Sequence, residues 1–198
     1  MISAVLLAAG MSTRMGGPNK LLLPFRDRTV IENMVRVLLD SDLDEVVVVL
    51  GHQAEQVRPL LEGTGVRIVD NPDYAEGMGS SLKVGLRAVS AGAEAVMVCL
   101  TDQPLLEPAD VNRLLAAFRE GGAQDIVVPF HQGQRGNPIL FSARYRNEVQ
   151  NTRGPIAGCR GIVQRYPEAI RAIEMETDHI LRDLDTPEDY RALLQQTT

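Results

Sequence analysis

Short runs of β-branched and aliphatic residues recur along this chain, and helical patterns or turn-rich stretches separate them. Ile2–Leu7 (ISAVLL), Glu45–Leu50 (EVVVVL), Val66–Val69 (VRIV), Ala95–Leu100 (AVMVCL) and Asp125–Val128 (DIVV) read as strands. Several are apolar nearly throughout, which is what strands covered on both faces require. Three stretches read as helices. In Thr29–Leu39, Thr29 and Glu32 form a capping box, and Ile31, Met34, Val35 and Leu38 follow at helical spacing. Pro108–Arg119 opens on a first-turn proline and sets Val111, Leu114, Leu115 and Phe118 on one face; Pro187–Leu194 starts in the same way after Thr186. Strand and helix in alternation imply right-handed crossovers and a mostly parallel sheet between helical layers. The fold class is therefore α/β, a three-layer sandwich.

A length of 198 residues fits one domain, residues 1–198, with no repeat, low-complexity tract or interdomain linker. The least regular part is 131–165, with HQGQRGNP and NTRGPIAGCRG, expected to form a lobe over the sheet. The formal net charge of −6 and the scarcity of aromatic residues argue against nucleic acid and anionic membrane as partners. Cys99 lies in an apolar run and Cys159 lacks a Cys or His companion, so neither a disulfide framework nor a zinc site follows. No segment reads as a membrane span or export signal, so the expected location is the cytoplasm.

Against this acidic background, LLAAGMSTRMGGPNKLLLP (Leu6–Pro24) carries three glycines, Arg14 and Lys20, and no acidic residue. It leaves the first strand at its carboxyl end, where open α/β sheets gather ligands. Glycines at 10, 16 and 17 let backbone N–H groups approach a ligand closely, which suits phosphate oxygens. Arg14 offers a planar fork and Lys20 a compact point charge. A Walker loop would need Gly-Lys-Ser/Thr, but Leu21 follows Lys20; a dinucleotide fingerprint would need GxGxxG, but Met11 and Ser12 follow Gly10.

Asp102 follows the apolar run AVMVCL, at the carboxyl end of another strand, and offers hard oxygen to a cation such as Mg²⁺ or serves as a turn aspartate. Asp183 and Asp185, two apart before the last helix, point to one face if extended, so either could ligate, and one could be a helix-start carboxylate. Gly77, Gly79, Ser80 and Ser81 open a helix whose free N–H groups and hydroxyls suit a ring edge or a ribose. Ser80-x-x-Lys83 matches a nucleophile pattern whose partner motifs SDN and KTG are missing. His52, His131 and His179 have no metal-ligand spacing.

LLAAGMSTRMGGPNKLLLP resembles the signature loop of the MobA-like nucleotidyltransferases, most similarly that of the molybdenum cofactor cytidylyltransferases (MocA-like). In the same order along the chain, NPDYAEGMGSSLKVGL (71–86) resembles the family's nucleotide-recognition segment, LTDQP (100–104) its metal-binding turn, and DLDTPEDY (183–190) its C-terminal carboxylate motif. The resemblance implies a Rossmann-like, nucleotide-diphospho-sugar transferase-like domain. It also implies transfer of a nucleoside monophosphate, CMP from CTP, onto a phosphorylated acceptor, molybdopterin, with Mg²⁺ or Mn²⁺ as cofactor. A molybdoenzyme of the hydroxylase type would be a protein partner. Arg14, Lys20 and Asp102 would be catalytic; Ala8, Ala9, Gly10, Arg14, Lys20, Asn71, Gly77, Ser80 and Ser81 would meet the nucleotide; Asp102 and Asp185 would hold the metal. Asn71 also reads as an ordinary turn asparagine.

The chain departs from that branch where the acceptor should lie. RGNP (Arg135–Pro138) stands for Arg-Gly-His-Pro, and NTRGPIAGCRG replaces a Gly-Asp-x-Gly-Ala-Arg stretch. Arg135, Asn137, Arg153 and Arg160 are the acceptor-binding residues this suggests, against a plain basic surface loop. Guanylyl or sugar-phosphate transfer on the same scaffold, and a non-catalytic nucleotide-binding maturation chaperone for a molybdoenzyme, are the alternatives. An oxidoreductase using a dinucleotide is weakened by the missing fingerprint.

Overall fold

The computed structural model describes residues 1–122, 124–151 and 158–196. Ten strands and seven helices run in the order β1 (Ile2–Ala8), β2 (Pro24–Phe25), β3 (Arg28–Thr29), α1 (Val30–Leu39), β4 (Glu45–Leu50), α2 (Ala54–Leu61), β5 (Arg67–Asp70), α3 (Met78–Ala88), β6 (Ala95–Leu100), α4 (Pro108–Arg119), β7 (Ile126–His131), β8 (Gln134–Arg135), β9 (Ile139–Ser142), α5 (Arg146–Asn151), α6 (Cys159–Arg165), β10 (Ile170–Glu174) and α7 (Pro187–Gln196), among the described residues. The main sheet has the order β10-β7-β9-β6-β1-β4-β5, with β8 paired to β7, and β2 and β3 form a separate small ribbon. Strands β6, β1, β4 and β5 are parallel neighbours, as β7 and β10 are. Only β9 and β8 run antiparallel to their neighbours in this sheet.

Both faces of the sheet are covered, so the central strands are apolar nearly throughout, Ser3 and Glu45 at their starts excepted. Ala4, Leu6, Val46, Val48, Met97 and Cys99 face α1, α2 and α4, while Val5, Leu7, Val47, Val49, Val96 and Val98 face α3, α5 and α6. Gly85 of α3 lies directly on the strands. A Cβ there would collide with Val5 Cγ1 and stand 2.9 Å from Val49 Cγ2. Thr29 caps α1 in the expected box, its hydroxyl and amide both donating to Glu32. Pro108–Arg119 forms α4 with the expected bounds, and α7 packs Leu193 and Tyr190 against Phe25, Val30 and Leu184.

The stretch 131–165 contains a strand of the main sheet. Ile139–Ser142 inserts between β6 and β7, antiparallel to both, with Ile139, Leu140 and Phe141 buried. Arg153 and the rest of 152–157 lie outside the described residues. No helix among the described residues is long and apolar enough to cross a membrane.

Candidate active site

The register of the sheet fixes where the site stands. Leu7 of β1 pairs with Val49 of β4 and Leu100 of β6, so the segments after these three strands emerge at one edge. There the Thr101 hydroxyl donates to Leu7 O at 3.0 Å, stitching the turn that carries Asp102 to the strand that feeds the opening loop. The loop is pinned by two buried anchors, Met15 and Leu21, with a left-handed Ser12 (φ 52°) and a left-handed Gly16 (φ 72°) on either side of the turn Thr13–Met15. Asn19 caps the next turn by accepting Leu21 N at 3.0 Å, and Lys20 N donates to the Ser12 hydroxyl at 3.3 Å. Lys20 therefore points inward while Arg14 stays largely exposed.

The C-terminal segment returns across the same edge. Leu184 N donates to Asp102 O at 2.6 Å, and Asp185 N donates to the Asp189 carboxylate at 3.1 Å. The Thr186 hydroxyl and amide also donate to Asp189 and hold its carboxyl below the usual carboxylate range, outweighing what burial raises. Four charged groups meet as a result. Lys20 Nζ lies 3.1 Å from Asp102 Oδ2, 3.2 Å from Asp185 Oδ1 and 2.9 Å from Leu184 O, and Arg14 Nη1 lies 2.8 Å from Asp185 Oδ2.

Beneath them Gln103, only 1% exposed, donates from Nε2 to Ile180 O at 2.8 Å and to Asp183 Oδ1 at 3.0 Å. Burial, and then the nearby Asp102 charge, push the Asp183 carboxyl upward against that amide bond. Asp183 is exposed, with Oδ1 held by Gln103, and it does not line the cleft.

These side chains floor a cleft of about 440 Å³. Ala9, Gly10, Arg14, Lys20, Gly77, Ser81, Asp102 and Asp185, all expected site residues, line it. So do Leu7, Met11, Tyr74, Met78 and Leu100, which make one wall apolar. Tyr74 and Met78 sit inside the NPDYAEGMGSS segment, but single apolar residues there carry no periodic signal. Gly51 closes this wall: a Cβ on it would stand 2.6 Å from Tyr74 Cβ and 2.7 Å from Ala9 Cβ.

The other expected residues stand outside the lining. Ala8 ends β1 and is buried. Asn71 is buried and internally engaged: Nδ2 donates to the Ser80 and Ser81 hydroxyls at 2.8 and 2.9 Å, and Oδ1 accepts Asp73 N at 3.0 Å. Ser80 donates in turn to Asp73 O and Gly77 O. Arg135 and Arg160 are exposed on β8 and α6, and Asn137 N donates to Ile180 O at 3.3 Å. Arg135 lies close enough to α6 for its charge to act on the Cys159 thiol, which burial pushes up to about 12.

The donor set fits a hard divalent ion. Asp102 Oδ1 is buried without a hydrogen-bond partner, and Asp102 and Asp185 share one cation, Lys20, between them. No group of three or more His, Cys, Asp or Glu capable of holding a metal occurs among the described residues. Two carboxylates with the remaining shell left to phosphates and water suit Mg²⁺ or Mn²⁺.

Residues 4–170 match the MobA-like NTP transferase domain. The chain belongs to that family. Among relatives of the chain, nicotine blue oxidoreductase of Paenarthrobacter nicotinovorans is 34% identical over 197 residues, covering 98% of this chain and 96% of the relative. Molybdenum cofactor cytidylyltransferase of Escherichia coli is 29% identical over 196 residues, covering 96% and 93%. The crystal structure of Rv0371c from Mycobacterium tuberculosis superposes with a TM-score of 0.85 at 31% identity, covering 98% of this chain and 97% of that one. The same protein in complex with manganese gives a TM-score of 0.80 at 29% identity and 98% coverage of both chains. The architecture is that of nucleotidyltransferases of the nucleotide-diphospho-sugar transferase fold.

Proposed function

We propose that this MobA-like protein transfers CMP from CTP to a phosphorylated acceptor, molybdopterin, and releases pyrophosphate. The convergence of Arg14 and Lys20 with Asp102 and Asp185 at one end of the cleft carries the reading. The cytidylyltransferase relative supports the choice of nucleotide and acceptor. An acceptor phosphate oxygen attacks the α-phosphorus, and the bond to the β,γ-diphosphate breaks. The attacking group is already an anion, so the chain needs no general base, only positioning and charge neutralisation. Arg14 holds the β- and γ-phosphates and stabilises the departing diphosphate. Lys20, fixed by three oxygens on one side, turns its ammonium toward the α-phosphate. Asp102 and Asp185 would hold Mg²⁺ or Mn²⁺, which supplies charge neutralisation at the phosphates. Ala9, Gly10, Gly77 and Ser81, with the apolar wall of Leu7, Tyr74 and Leu100, receive base and ribose. Arg135, Asn137 and Arg160 serve an anionic acceptor.

The name of the Paenarthrobacter relative favours a second reading, an oxidoreductase on the same scaffold. Calorimetry with CTP, GTP, UTP, ATP, NADH and NADPH, each with Mg²⁺, on wild type and Asp102→Asn separates them. CTP binds best and binding weakens in the variant; pyrophosphate is then released only when molybdopterin is present. Binding of a reduced dinucleotide and of no triphosphate would sink the transferase reading.

A further inference from the structure

Asp185 serves two masters in the cleft. Its Oδ2 accepts Arg14 Nη1 at 2.8 Å, and its Oδ1 faces Lys20 Nζ at 3.2 Å, so both oxygens are taken by protein cations. Asp102 differs: Oδ2 faces Lys20 at 3.1 Å, while Oδ1 is buried with no partner. The charges cancel in pairs, two cations against two carboxylates. A dication added to this set brings unbalanced positive charge, and a polyphosphate added alone brings unbalanced negative charge. Added together, the charge of the dication offsets part of that of the polyphosphate.

The members of the set differ in freedom. The backbone that carries Asp185 is anchored: its amide is bonded to Asp189, and the adjacent Leu184 N is bonded to Asp102 O at 2.6 Å. Lys20 is 13% exposed and held by three oxygens. Arg14 is 70% exposed, on a three-residue turn between left-handed Ser12 and Gly16, and Asp185 is the one ion-pair partner it has among the described residues. Arg14 is the group that can move.

Resting on the transferase reading, we infer that Arg14 withholds Asp185 from the metal until a triphosphate draws the guanidinium away. Arg14 thereby couples the two binding events: nucleotide opens the metal position, and by reciprocity metal tightens nucleotide. One side chain both grips the phosphates and sets how the cleft fills.

The test is Mn²⁺ binding, followed by the electron paramagnetic resonance signal of free Mn²⁺, on wild type and Arg14→Gln, with and without CTP. Arg14 is exposed, so the variant keeps its fold, which circular dichroism and thermal unfolding check. Arg14→Gln binds Mn²⁺ alone about three- to fivefold more tightly than wild type, the scale of one partly exposed ion pair. In wild type CTP tightens Mn²⁺ binding at least about fivefold, and in Arg14→Gln most of that gain is gone. Unchanged or weaker Mn²⁺ binding in the variant overturns the inference. So does tighter binding with the CTP effect intact, which is what simple relief of positive charge would give. Failure of wild type to bind CTP would instead overturn the functional reading, and the Mn²⁺-alone comparison would still decide whether Arg14 withholds Asp185.

Discussion

Lys20 Nζ lies 3.1 Å from Asp102 Oδ2, joining the opening loop to the far end of β6 through a contact that is mostly hidden from solvent. The same ammonium reaches Asp185 and the Leu184 carbonyl, so three separate chain segments close on it. Lys20→Met leaves two neighbouring, partly buried carboxylates without their shared cation. The expected cost is about 2 kcal/mol, between an exposed and a fully buried pair. For a chain of this size that lowers Tm by roughly 4–8 °C. Millimolar Mg²⁺ restores more of the loss in the variant than it adds to wild type, because the ion replaces the missing charge. Differential scanning calorimetry with and without Mg²⁺ checks both parts; equal Mg²⁺ gains in the two proteins would show that the carboxylates do not act as one site.

Gly85 makes a separate prediction about how α3, and with it Gly77 and Ser81, is held. A Cβ at this position would run into Val5 and Val49, so there is no room for a methyl group. Gly85→Ala overpacks the core and costs about 2 kcal/mol, within the usual range for such insertions. Trimming the neighbour in the double variant Gly85→Ala/Val5→Ala recovers part of that loss, a non-additive result that urea unfolding reads directly.

These two sites show what the sequence made legible and what it hid. Much of the chemistry is legible because strand ends and a glycine-rich cationic loop are local signals: β1, β4 and β6 are bounded to within one residue, and Arg14, Lys20 and Asp102 follow from position along the chain, whereas position leaves Asp183 and Asp185 open and only the family resemblance picks Asp185. Strand β9 was hidden because four residues after a proline have no period to read, and its place between β6 and β7 is a tertiary choice. Helix α2 was hidden by Pro59 and by polar residues that blur its apolar stripe. In the cleft, Tyr74 and Met78 could not be found because an apolar wall is a matter of which side chains the fold leaves uncovered.

At the opposite end of the sheet Glu45 offers a test by pH. Burial raises its carboxyl, but the Ser90 amide, the Ser3 and Ser90 hydroxyls and Arg67 together pull it below its ordinary value of 4.5. The bonds are 3.0 Å from Ser90 N, 2.7 Å from the Ser3 hydroxyl and 2.8 Å from the Ser90 hydroxyl. A carboxyl lowered by folding adds stability that is fully present above its unfolded value and is lost as pH falls through the folded one. Glu45→Gln therefore costs about 1–2 kcal/mol at pH 7, the scale of a charged hydrogen bond. Below pH 4 the gap between variant and wild type narrows. Urea titrations at pH 7 and at pH 3.5 measure it, and a gap that widens in acid would reverse the sign.

Asn71 decides between two roles for one residue. A nucleotide contact would lose affinity on substitution with little change in stability. The structure instead has Asn71 buried beneath the start of α3, spending its amide on the Ser80 and Ser81 hydroxyls and its carbonyl on Asp73 N. Asn71→Ala strands these groups and costs about 2 kcal/mol, since each buried polar group left unpaired carries its own desolvation penalty. The expected result is a Tm lower by roughly 4–8 °C. CTP affinity falls only as far as the start of α3 loosens, and it recovers on cooling well below the transition. Melting curves and calorimetry at 10 and 30 °C separate the cases. A variant as stable as wild type that binds CTP poorly at both temperatures would return Asn71 to the nucleotide.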